Sequence, residues 1–392
     1  MSLVYLDWAA TALPDTDILE QVKEHSLKTV GNPSSPHRLG REAEALLSSA
    51  RQRLAAVVGC DDRELLFTSG ATESNNMVLF SLLRRGQGRG RKVIVSGIEH
   101  ASLYEPACLL SRLGFEVCFI KPEPSGFVDP ARIEAELDDN TALITLMLVN
   151  NETGAIQPLK EVAALVKRRQ EKTGRKIHLH SDAVQGLGKI PFNARQSGAD
   201  SVALSGHKIG APRGIGALYL RSGSSMDFLY CGGGQEHRHR PGTENVAGAF
   251  GFALAAESYA GALEVNLQRA HAQMDSLTAA LSKIPGVRLI PELRIDAAQR
   301  FSPYILCAAF PPLPGEVAVR VMEEEGFLIA TGSACSSRSK RHSRTLDQMR
   351  VPSSVSAASV RISLGPATAH EELAHFTAAL RTRLADLRHL TG

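Results

Sequence analysis

Residues 200–216 read Asp-Ser-Val-Ala-Leu-Ser-Gly-His-Lys-Ile-Gly-Ala-Pro-Arg-Gly-Ile-Gly, and they carry a lysine from a strand into a glycine-rich turn. The apolar run that ends at Ser205 predicts a buried strand, and the glycines after it predict a tight turn. Lys208 can form a Schiff base with a carbonyl if its ammonium is partly desolvated. Ser205 and His207 can hydrogen-bond an anion such as phosphate. A solvated lysine in a turn is the alternative. The sequence upstream of Lys208 distinguishes the two interpretations.

The composition of the whole chain is that of an ordinary globular protein. It has 392 residues, 43% of them hydrophobic and 22% charged, which is enough for a large domain with a smaller companion. A formal net charge of +3 favours neither nucleic acid nor a membrane surface as partner. Since no apolar run approaches a membrane span and no basic-then-apolar leader opens the chain, we predict a cytoplasmic protein.

The cysteines follow neither a metal-binding nor a disulfide pattern. None lies in a Cys-x-x-Cys pair, so we predict reduced thiols and no metal site. Five of them are expected to serve packing, and Cys335 is considered separately below. The six are Cys60, Cys108, Cys118, Cys231, Cys307 and Cys335.

Short apolar runs alternate with amphipathic helical patterns, which predicts an α/β fold with a mostly parallel sheet covered by helices. The chain from Val246 to Lys283 is helical in pattern and joins a second, smaller domain that ends in a helix over His370–Leu390. We predict a large domain over 14–260, a small domain over 261–392 and a joining segment over 1–13. The predicted strands of the large domain are Leu65–Thr68, Lys92–Ser96, Phe115–Ile120, Ala142–Val149, Ile177–His180, Ser201–Ser205 and Ile215–Leu220.

The stretch Thr68–Asn76 follows a predicted strand and opens a helix. Free backbone N–H groups at a helix start suit a phosphate, with Gly70 giving access and the Thr72 hydroxyl beside it. An ordinary N-cap by Ser69 or Thr72 is the alternative.

Two further strands end in polar residues. His100 follows Lys92–Ser96, so it faces the crevice in which such sheets bind ligands, where it could stack on a planar group or move protons. A surface or core histidine is equally compatible with the local sequence. Asn150 and Asn151 close the most hydrophobic strand and need partners, either a ligand or a tight turn.

Asp182 ends another buried strand, where a carboxylate is costly unless it is paired. A protonated pyridine nitrogen is a suitable partner, and Gln185 could reach a ring hydroxyl. A helix cap by Asp182 is the alternative. In chain order the strand ends supply a phosphate loop, a histidine, an aspartate and Lys208. Together they predict a lysine-bound pyridoxal 5'-phosphate site.

The chain resembles cysteine desulfurases of the iron–sulfur-cluster-assembly type, within the class-V aminotransferase-like family of pyridoxal-phosphate enzymes. The resemblance covers nearly the whole length and implies the aspartate-aminotransferase-like transferase fold. The motifs that carry it are Tyr5–Thr11, Gly31–Ser35, Thr68–Asn76, Glu99-His100, Asn150–Glu152, Asp182 with Gln185, Ser205–Lys208, Gly232–Glu236, Arg240 with Gly242 and Thr243, Gly332–Ser337, and Arg361–Gly365.

The resemblance implies a role for each matching residue. Lys208 would hold the cofactor aldehyde, Asp182 the pyridine nitrogen and Gln185 the ring oxygen, while His100 stacks on the ring. The residues implied for the phosphate are Ala71, Thr72, Ser205 and His207, with Thr243 reaching in from the partner of a homodimer. Those implied for the amino-acid substrate are Asn32, Asn151 (also near the cofactor) and Arg361, whose guanidinium can grip a carboxylate.

Cys335 is the predicted nucleophile. It lies in Gly332-Ser-Ala-Cys-Ser-Ser337, a run of small residues that predicts an accessible loop. Its thiolate would take sulfur from L-cysteine, leaving alanine and a persulfide for a protein acceptor such as an iron–sulfur scaffold. A small core cysteine beside a turn is the alternative.

The chain departs from the family pattern at Trp8, at Gly210–Arg213 and at Pro241. The basic residues after Cys335, including Arg341 and Arg344, are either a solvated loop or a docking strip for an acidic acceptor. Two other functions stay open: a selenocysteine lyase or other class-V lyase or transaminase, which needs no thiol at position 335, and a non-catalytic scaffold that retains the fold.

Overall fold

The computed structural model describes residues 3–84, 90–224, 226–332 and 343–391, with side chains as far as residue 386. Its centre is a seven-stranded sheet in the order β2-β8-β7-β6-β5-β3-β4, in which β8 runs antiparallel to both neighbours and the other pairs within β7-β6-β5-β3-β4 are parallel. This sheet confirms the predicted α/β class. The described strands are β1 Val4–Tyr5, β2 Leu65–Thr68, β3 Lys92–Ser96, β4 Glu116–Ile120, β5 Thr141–Thr145, β6 His178–Asp182, β7 Ser201–Ser205, β8 Gly216–Leu220, β9 Arg288–Ile290, β10 Ile305–Ala309, β11 Phe327–Leu328 and β12 Ser359–Ser363.

The strand β5 is shorter than the predicted Ala142–Val149. Beyond Thr145 the chain still bonds to β6 on one side, through Leu146 N to His180 O. On the other side β3 has already ended at Ser96, and Met147 N–H donates instead to the buried carboxyl of Glu99 at 2.9 Å. The Glu99 carboxyl therefore replaces the backbone partner that β3 no longer provides. The chain then turns toward the edge of the sheet where the parallel strands end.

Helices cover the sheet, and their ends follow local capping rules. α2 ends at Gly59, whose φ of 77° is a conformation that glycine adopts without strain. The predicted stretch Val246–Lys283 is two helices that meet at Ala262 with a bend of 66°. The described helices are α1 Thr16–Lys28, α2 Arg38–Val58, α3 Ala71–Phe80, α4 Ala101–Arg112, α5 Pro130–Glu136, α6 Leu159–Thr173, α7 Ala194–Ser197, α8 Val246–Gly261, α9 Leu263–Ser282, α10 Gly315–Glu324, α11 Arg344–Gln348, α12 Ser353–Ala357 and α13 His370–Thr391.

A second, antiparallel sheet of β9, β10 and β12 lies in the C-terminal part of the chain. The amino-terminal segment contacts this part of the chain, since β1 pairs with β11 in a separate two-stranded sheet and Asp7 bridges to Ser363 at the end of β12. The same segment reaches the large sheet, because Ala12 N–H donates to His207 O. It thus spans both sheets, as a joining segment would; the bounds 14–260 and 261–392 remain predictions.

Within the described ranges, no single helix is both long and apolar enough to cross a membrane. Among the helices that the structure describes, only α8 and α9 taken together reach that length and composition, and they are sharply bent. The apolar face of α8 is buried against the protein, where it packs on α1 and α2.

Candidate active site

A cavity of about 590 Å³ opens where β2, β3, β5, β6 and β7 end. Each of these strands delivers a polar or small residue to it, because the carboxyl ends of parallel strands meet at one edge of a sheet. Most residues predicted for the site line this one cavity. They are Ala71, Thr72, His100, Asn151, Asp182, Gln185, Ser205, His207, Lys208 and Arg361.

Lys208 lies in a short 3-10 turn directly after β7. Gly210 ends this turn with a φ of 80°, which reverses the chain toward β8. Lys208 Nζ donates to two backbone carbonyls of the amino-terminal segment, Ala9 O at 2.7 Å and Ala10 O at 2.6 Å. The amine is therefore held at the cavity wall by main-chain acceptors, without a carboxylate among these contacts.

Asp182 ends β6 with its carboxylate at the cavity and only 5% of the residue exposed. Oδ1 accepts from Val184 N–H at 3.0 Å, and Oδ2 accepts from Asn75 Nδ2 at 2.9 Å. The first bond closes the turn after β6, where no helix begins, so the alternative of a helix cap by Asp182 is not observed; the carboxylate can serve this turn and a ligand. Both functions are compatible, because each carboxylate oxygen can accept a further hydrogen bond.

Asn75 connects Asp182 to His100 through Ser102. It is fully buried in α3, and its Nδ2 donates both to Asp182 and to Ser102 Oγ, the latter at 2.8 Å. Its Oδ1 lies 2.9 Å from His180 Nε2. Burial lowers the pKa of His180 to about 3, so this ring is neutral and can donate its single N–H to Asn75. The amide is thereby fixed in one orientation.

His100 is the N-cap of α4 as well as a wall of the cavity. Its Nδ1 accepts from Ser102 N–H at 3.2 Å and lies 2.8 Å from Ser102 Oγ. Since Nδ1 acts as acceptor, the neutral ring carries its proton on Nε2. Capping thus selects the tautomer and leaves Nε2 for other contacts.

The helix α3 begins at Gly70 without a side-chain cap, so the predicted alternative of a Ser69 or Thr72 cap is not observed. A Cβ added to Gly216 would lie 2.5 Å from Gly70 Cα, so glycine at 216 lets β8 approach the start of α3 closely. The first-turn N–H groups remain available for an anion, next to the buried Ser205.

His207 lies on the same side of the cavity, with Nδ1 3.1 Å from Thr11 Oγ1. Burial, together with the cations Lys208 and Lys189, lowers the pKa of His207 to about 4. The ring is therefore neutral at physiological pH, and it can offer a hydrogen bond but no charge.

Arg361 also lines the cavity and is only 1% exposed. Its Nη2 donates to Asp7 Oδ1 at 2.7 Å and its Nη1 to Asn151 O at 3.1 Å. Its Nε is buried and has no hydrogen-bond partner among the described residues. A buried donor without a partner is costly, so this atom indicates a place for a ligand.

The sequence left a ligand or a tight turn as the partner of the two asparagines after β5, and each asparagine has a different role. Asn150 Oδ1 accepts from the N–H groups of Glu152 and Thr153, so it closes the tight turn. Asn151 instead lines the cavity, and its carbonyl holds Arg361.

Two predicted residues do not line the cavity of this chain. Asn32 is exposed, and its Oδ1 accepts from Ser34 N–H at 2.9 Å. Thr243 is also exposed and follows a segment tied to α3 by the ion pair of Arg240 with Glu73, at 2.9 Å. Cys335 lies outside the described residues, together with the rest of 333–342.

The other cysteines differ from one another more than their sequence patterns suggest. Cys307 is buried in β10, and burial raises the pKa of Cys118 to about 11 and that of Cys60 to about 12. Cys231 is exposed, so the prediction that it serves packing is wrong. Throughout 3–84, 90–224, 226–332 and 343–391, no group of three or more His, Cys, Asp or Glu residues could hold a metal ion.

Several residues that shape the site carry no local signal in the sequence. Asn75 and Asp7 act through contacts with residues far along the chain: Asn75 and Asp182 are 107 positions apart, and Asp7 and Arg361 are 354 positions apart. Lys189 contacts Gln185, four positions away, and its burial shows only in the fold. Glu99 was recognised only as the neighbour of His100. It is 1% exposed, and burial, aided by the charge of Asp182, raises its pKa to about 8.

The chain is similar to known proteins over nearly its whole length. The aminotransferase class-V model matches residues 4–376. A cysteine desulfurase IscS of Dictyoglomus turgidum is 34% identical over 99% of this chain and 96% of its own length. A solved NifS-like protein has a TM-score of 0.90 at 32% identity, covering 98% of this chain and 99% of that one. The solved SspA in complex with cysteine has a TM-score of 0.80 at 28% identity, over 93% and 100%.

The chain therefore belongs to the class-V aminotransferase family, a family of pyridoxal-phosphate-dependent enzymes. Within that family it belongs with the cysteine desulfurases of the IscS and NifS type. The transferase fold expected from the sequence resemblance is confirmed.

Proposed function

We propose that this chain is a pyridoxal-phosphate-dependent desulfurase that converts L-cysteine to L-alanine and passes the sulfur to Cys335 as a persulfide. The observation that carries the proposal is the single cavity lined by Lys208, Asp182, His100 and Arg361 at the start of α3. An amine, a buried carboxylate, an imidazole and a guanidinium in one cavity suit a cofactor aldehyde, a pyridine nitrogen, a proton relay and a substrate carboxylate, respectively.

The residues present fit pyridoxal phosphate. Lys208 would hold the aldehyde, Asp182 the ring nitrogen and Gln185 the ring oxygen, with His100 against the ring face. The uncapped start of α3 with Ala71 and Thr72, flanked by Ser205 and His207, offers neutral donors for the phosphate. When bound, the cofactor stores the electron pair released at the substrate carbon.

The substrate carboxylate would lie against Arg361. The guanidinium is already oriented by Asp7 and by Asn151 O, and its unpartnered Nε is a remaining donor. A prearranged guanidinium loses little freedom on binding a carboxylate, which favours both affinity and orientation. The solved relative in complex with cysteine supports an amino acid of this size. Asn151 and Asn32 are proposed to complete the substrate contacts.

Proton movements fall to two residues. Lys208, held by Ala9 O and Ala10 O, is proposed to take and return the proton at the substrate α-carbon. His100 is proposed to handle the proton of the substrate thiol at Nε2; accepting a proton there requires the tautomer with its proton on Nδ1, which can donate to Ser102 Oγ at 2.8 Å. The hydrogen bonds of Asn75 to Ser102 and to Asp182 fix the position of His100 relative to Asp182.

The sulfur step needs a thiolate at position 335. The Cys335 thiolate attacks the substrate sulfur, so an S–S bond forms as the Cβ–S bond breaks. The electron pair stays with the substrate carbon, which takes up a proton and becomes the methyl group of alanine. The persulfide is then available to a protein acceptor, an iron–sulfur scaffold being the expected class, with the chain acting as a homodimer in the cytoplasm.

The test is an assay of purified protein with L-cysteine and a reducing thiol, measuring sulfide and alanine together. The proposal predicts equal amounts of both from the wild type, and neither above background from Cys335→Ala. Cys231→Ala is a suitable control, because this exposed cysteine lies outside the cavity lining. Alanine and sulfide that persist in Cys335→Ala would contradict the persulfide route and favour a lyase that releases the chalcogen directly.

A further inference from the structure

Beneath the cavity lies a buried lysine to which the proposed reaction assigns no role. Lys189 is 5% exposed and ends the second of two successive turns after β6, in which Lys189 N–H donates to Gly186 O. That turn depends on Gly188, with a φ of 68°, because a Cβ there would come within 2.7 Å of Tyr259 Cβ on α8. The backbone thus places a cationic side chain inside the protein, where a charge is costly.

The environment of Lys189 opposes its charge. Burial, with the nearby cations Lys208 and Arg361, lowers its pKa to about 7. By contrast, Lys92 is equally buried but lies 3.2 Å from a carboxylate oxygen of Glu136 and 3.1 Å from one of Asp138. Lys92 therefore has the carboxylate partners expected of a structural lysine, and the partner of Lys189 is a neutral amide.

That partner is Gln185. Lys189 Nζ donates to Gln185 Oε1 at 2.9 Å, and Gln185 Nε2 donates to Ala9 O at 2.9 Å. Both contacts agree with one orientation of the amide, since the Ala9 carbonyl only accepts and the Lys189 nitrogen can donate whether or not it is charged. Ala9 O is also the acceptor of Lys208 Nζ. One chain of hydrogen bonds therefore runs from Lys189 through Gln185 and Ala9 to Lys208.

We infer that Lys189 is a positioning residue that turns the oxygen of the Gln185 amide away from the cavity and its N–H groups toward it. The inference rests on the proposed function, because it takes Gln185 as the donor to the cofactor's ring oxygen. Without Lys189 only the bond to Ala9 O would hold the amide, and a rotation by half a turn, which gives up that bond, would present the amide oxygen to the ring oxygen and repel it. Lys189 acts through Gln185 and need not touch substrate or cofactor.

A double-mutant cycle tests the inference without relying on turnover. Wild type, Lys189→Met, Gln185→Leu and the double variant are freed of cofactor and titrated with pyridoxal phosphate, following the dissociation constant and the visible absorption band. Thermal unfolding checks that each variant is folded, and the cycle is repeated with Lys189→Leu in case the methionine variant does not fold. Lys92→Met is the matched control, being a buried lysine at the start of β3, outside the cavity lining.

We expect Lys189→Met to weaken cofactor binding by about fivefold to tenfold, as for one mispositioned hydrogen bond, and to shift the absorption band. In the Gln185→Leu background, Lys189→Met should change neither the dissociation constant nor the absorption band. The control Lys92→Met should also leave both unchanged. An equal effect of Lys189→Met in both backgrounds, or no effect in either, would overturn the inference. Wild-type protein that binds no pyridoxal phosphate would instead contradict the proposed function itself.

Discussion

At the residue scale, Asp182 and His100 depend on neutral partners for their orientation. Asn75 donates to Asp182 and to Ser102, which in turn contacts His100, so one buried amide orients both proposed catalytic partners. We predict that Asn75→Leu lowers kcat for L-cysteine about 100-fold with a smaller change in KM, because positioning is lost and the substrate contacts remain. Steady-state kinetics checks this; Asn266→Leu, at a half-buried position of α9 outside the cavity lining, is the control.

A buried carboxyl at the edge of the site gives a pH-dependent stability. The pKa of Glu99 is raised to about 8, against 4.5 for the ordinary group, so the folded protein binds a proton that the unfolded chain releases. The stability contributed by Glu99 is therefore complete below about pH 4.5 and is lost as the pH rises through 8.

We predict that Glu99→Gln, measured against wild type by denaturant unfolding, becomes relatively more stable as the pH rises from 5 to 8.5. Each pH unit within this window corresponds to at most about 1.4 kcal/mol. The glutamine keeps an acceptor for Met147 N–H, so its packing is preserved. A difference between the two proteins that does not vary with pH would contradict the neutral carboxyl.

The charged residues also show how far the sequence could predict this site. Lys208, His100 and Asp182 were predictable because each follows a strand, and parallel strands bring their carboxyl ends together. The partners of Arg361 were not, because the Asp7 contact depends on β1 and β12 lying in one part of the fold. Lys189 was equally hidden, since nothing in its own neighbourhood reveals that it is buried.

At the scale of elements, α11 is fixed to the turn that precedes His100. Arg344 donates through both terminal nitrogens to the carbonyls of Gly97 and Glu99, and its guanidinium lies 3.8 Å from the centre of the Tyr104 ring. The alternative that Arg344 belongs to a docking strip is therefore not supported, because its donors already have partners inside the chain. Arg341 lies outside the described residues, and its part in docking remains a prediction.

We predict that Arg344→Ala destabilises the protein by about 1–3 kcal/mol, as expected for lost charge-assisted hydrogen bonds. Because the turn before His100 loosens, kcat should also fall, and the fall should be the same at low and high salt. Arg320→Ala, at an exposed position on α10, should change neither quantity. A loss of sulfur transfer confined to low salt would restore the docking explanation.

At the scale of the whole molecule, the open side of the cavity indicates where a second copy would contribute. A depression of about 660 Å³ adjoins the cavity and shares Ser69, Thr72 and Glu73 with it. Its far wall includes Arg240 and Pro241, just before the exposed Thr243. Since Thr243 does not line the cavity of its own chain, we expect it to act in the site of a partner subunit.

Mixed dimers distinguish action of Thr243 in the partner subunit's site from action in the site of its own chain. In a dimer of one Lys208→Ala chain with one Thr243→Ala chain, action across the interface leaves one site with both native residues. We predict that this dimer, purified by two different tags, has about half the wild-type activity, whereas each homodimeric variant is impaired. If Thr243 acts within its own chain, neither site is complete and the mixed dimer should be no better than the Thr243→Ala parent.

The central claim is that Lys208 and its cavity bind pyridoxal phosphate and present it to L-cysteine. The most direct measurement is the visible absorption spectrum of the purified protein before and after L-cysteine is added, for wild type and Lys208→Ala. The account predicts a cofactor band in the wild type that changes on addition of L-cysteine. It predicts that this band is missing from the spectrum of Lys208→Ala. A wild type without a band, or a band unchanged by both L-cysteine and the loss of Lys208, would contradict it.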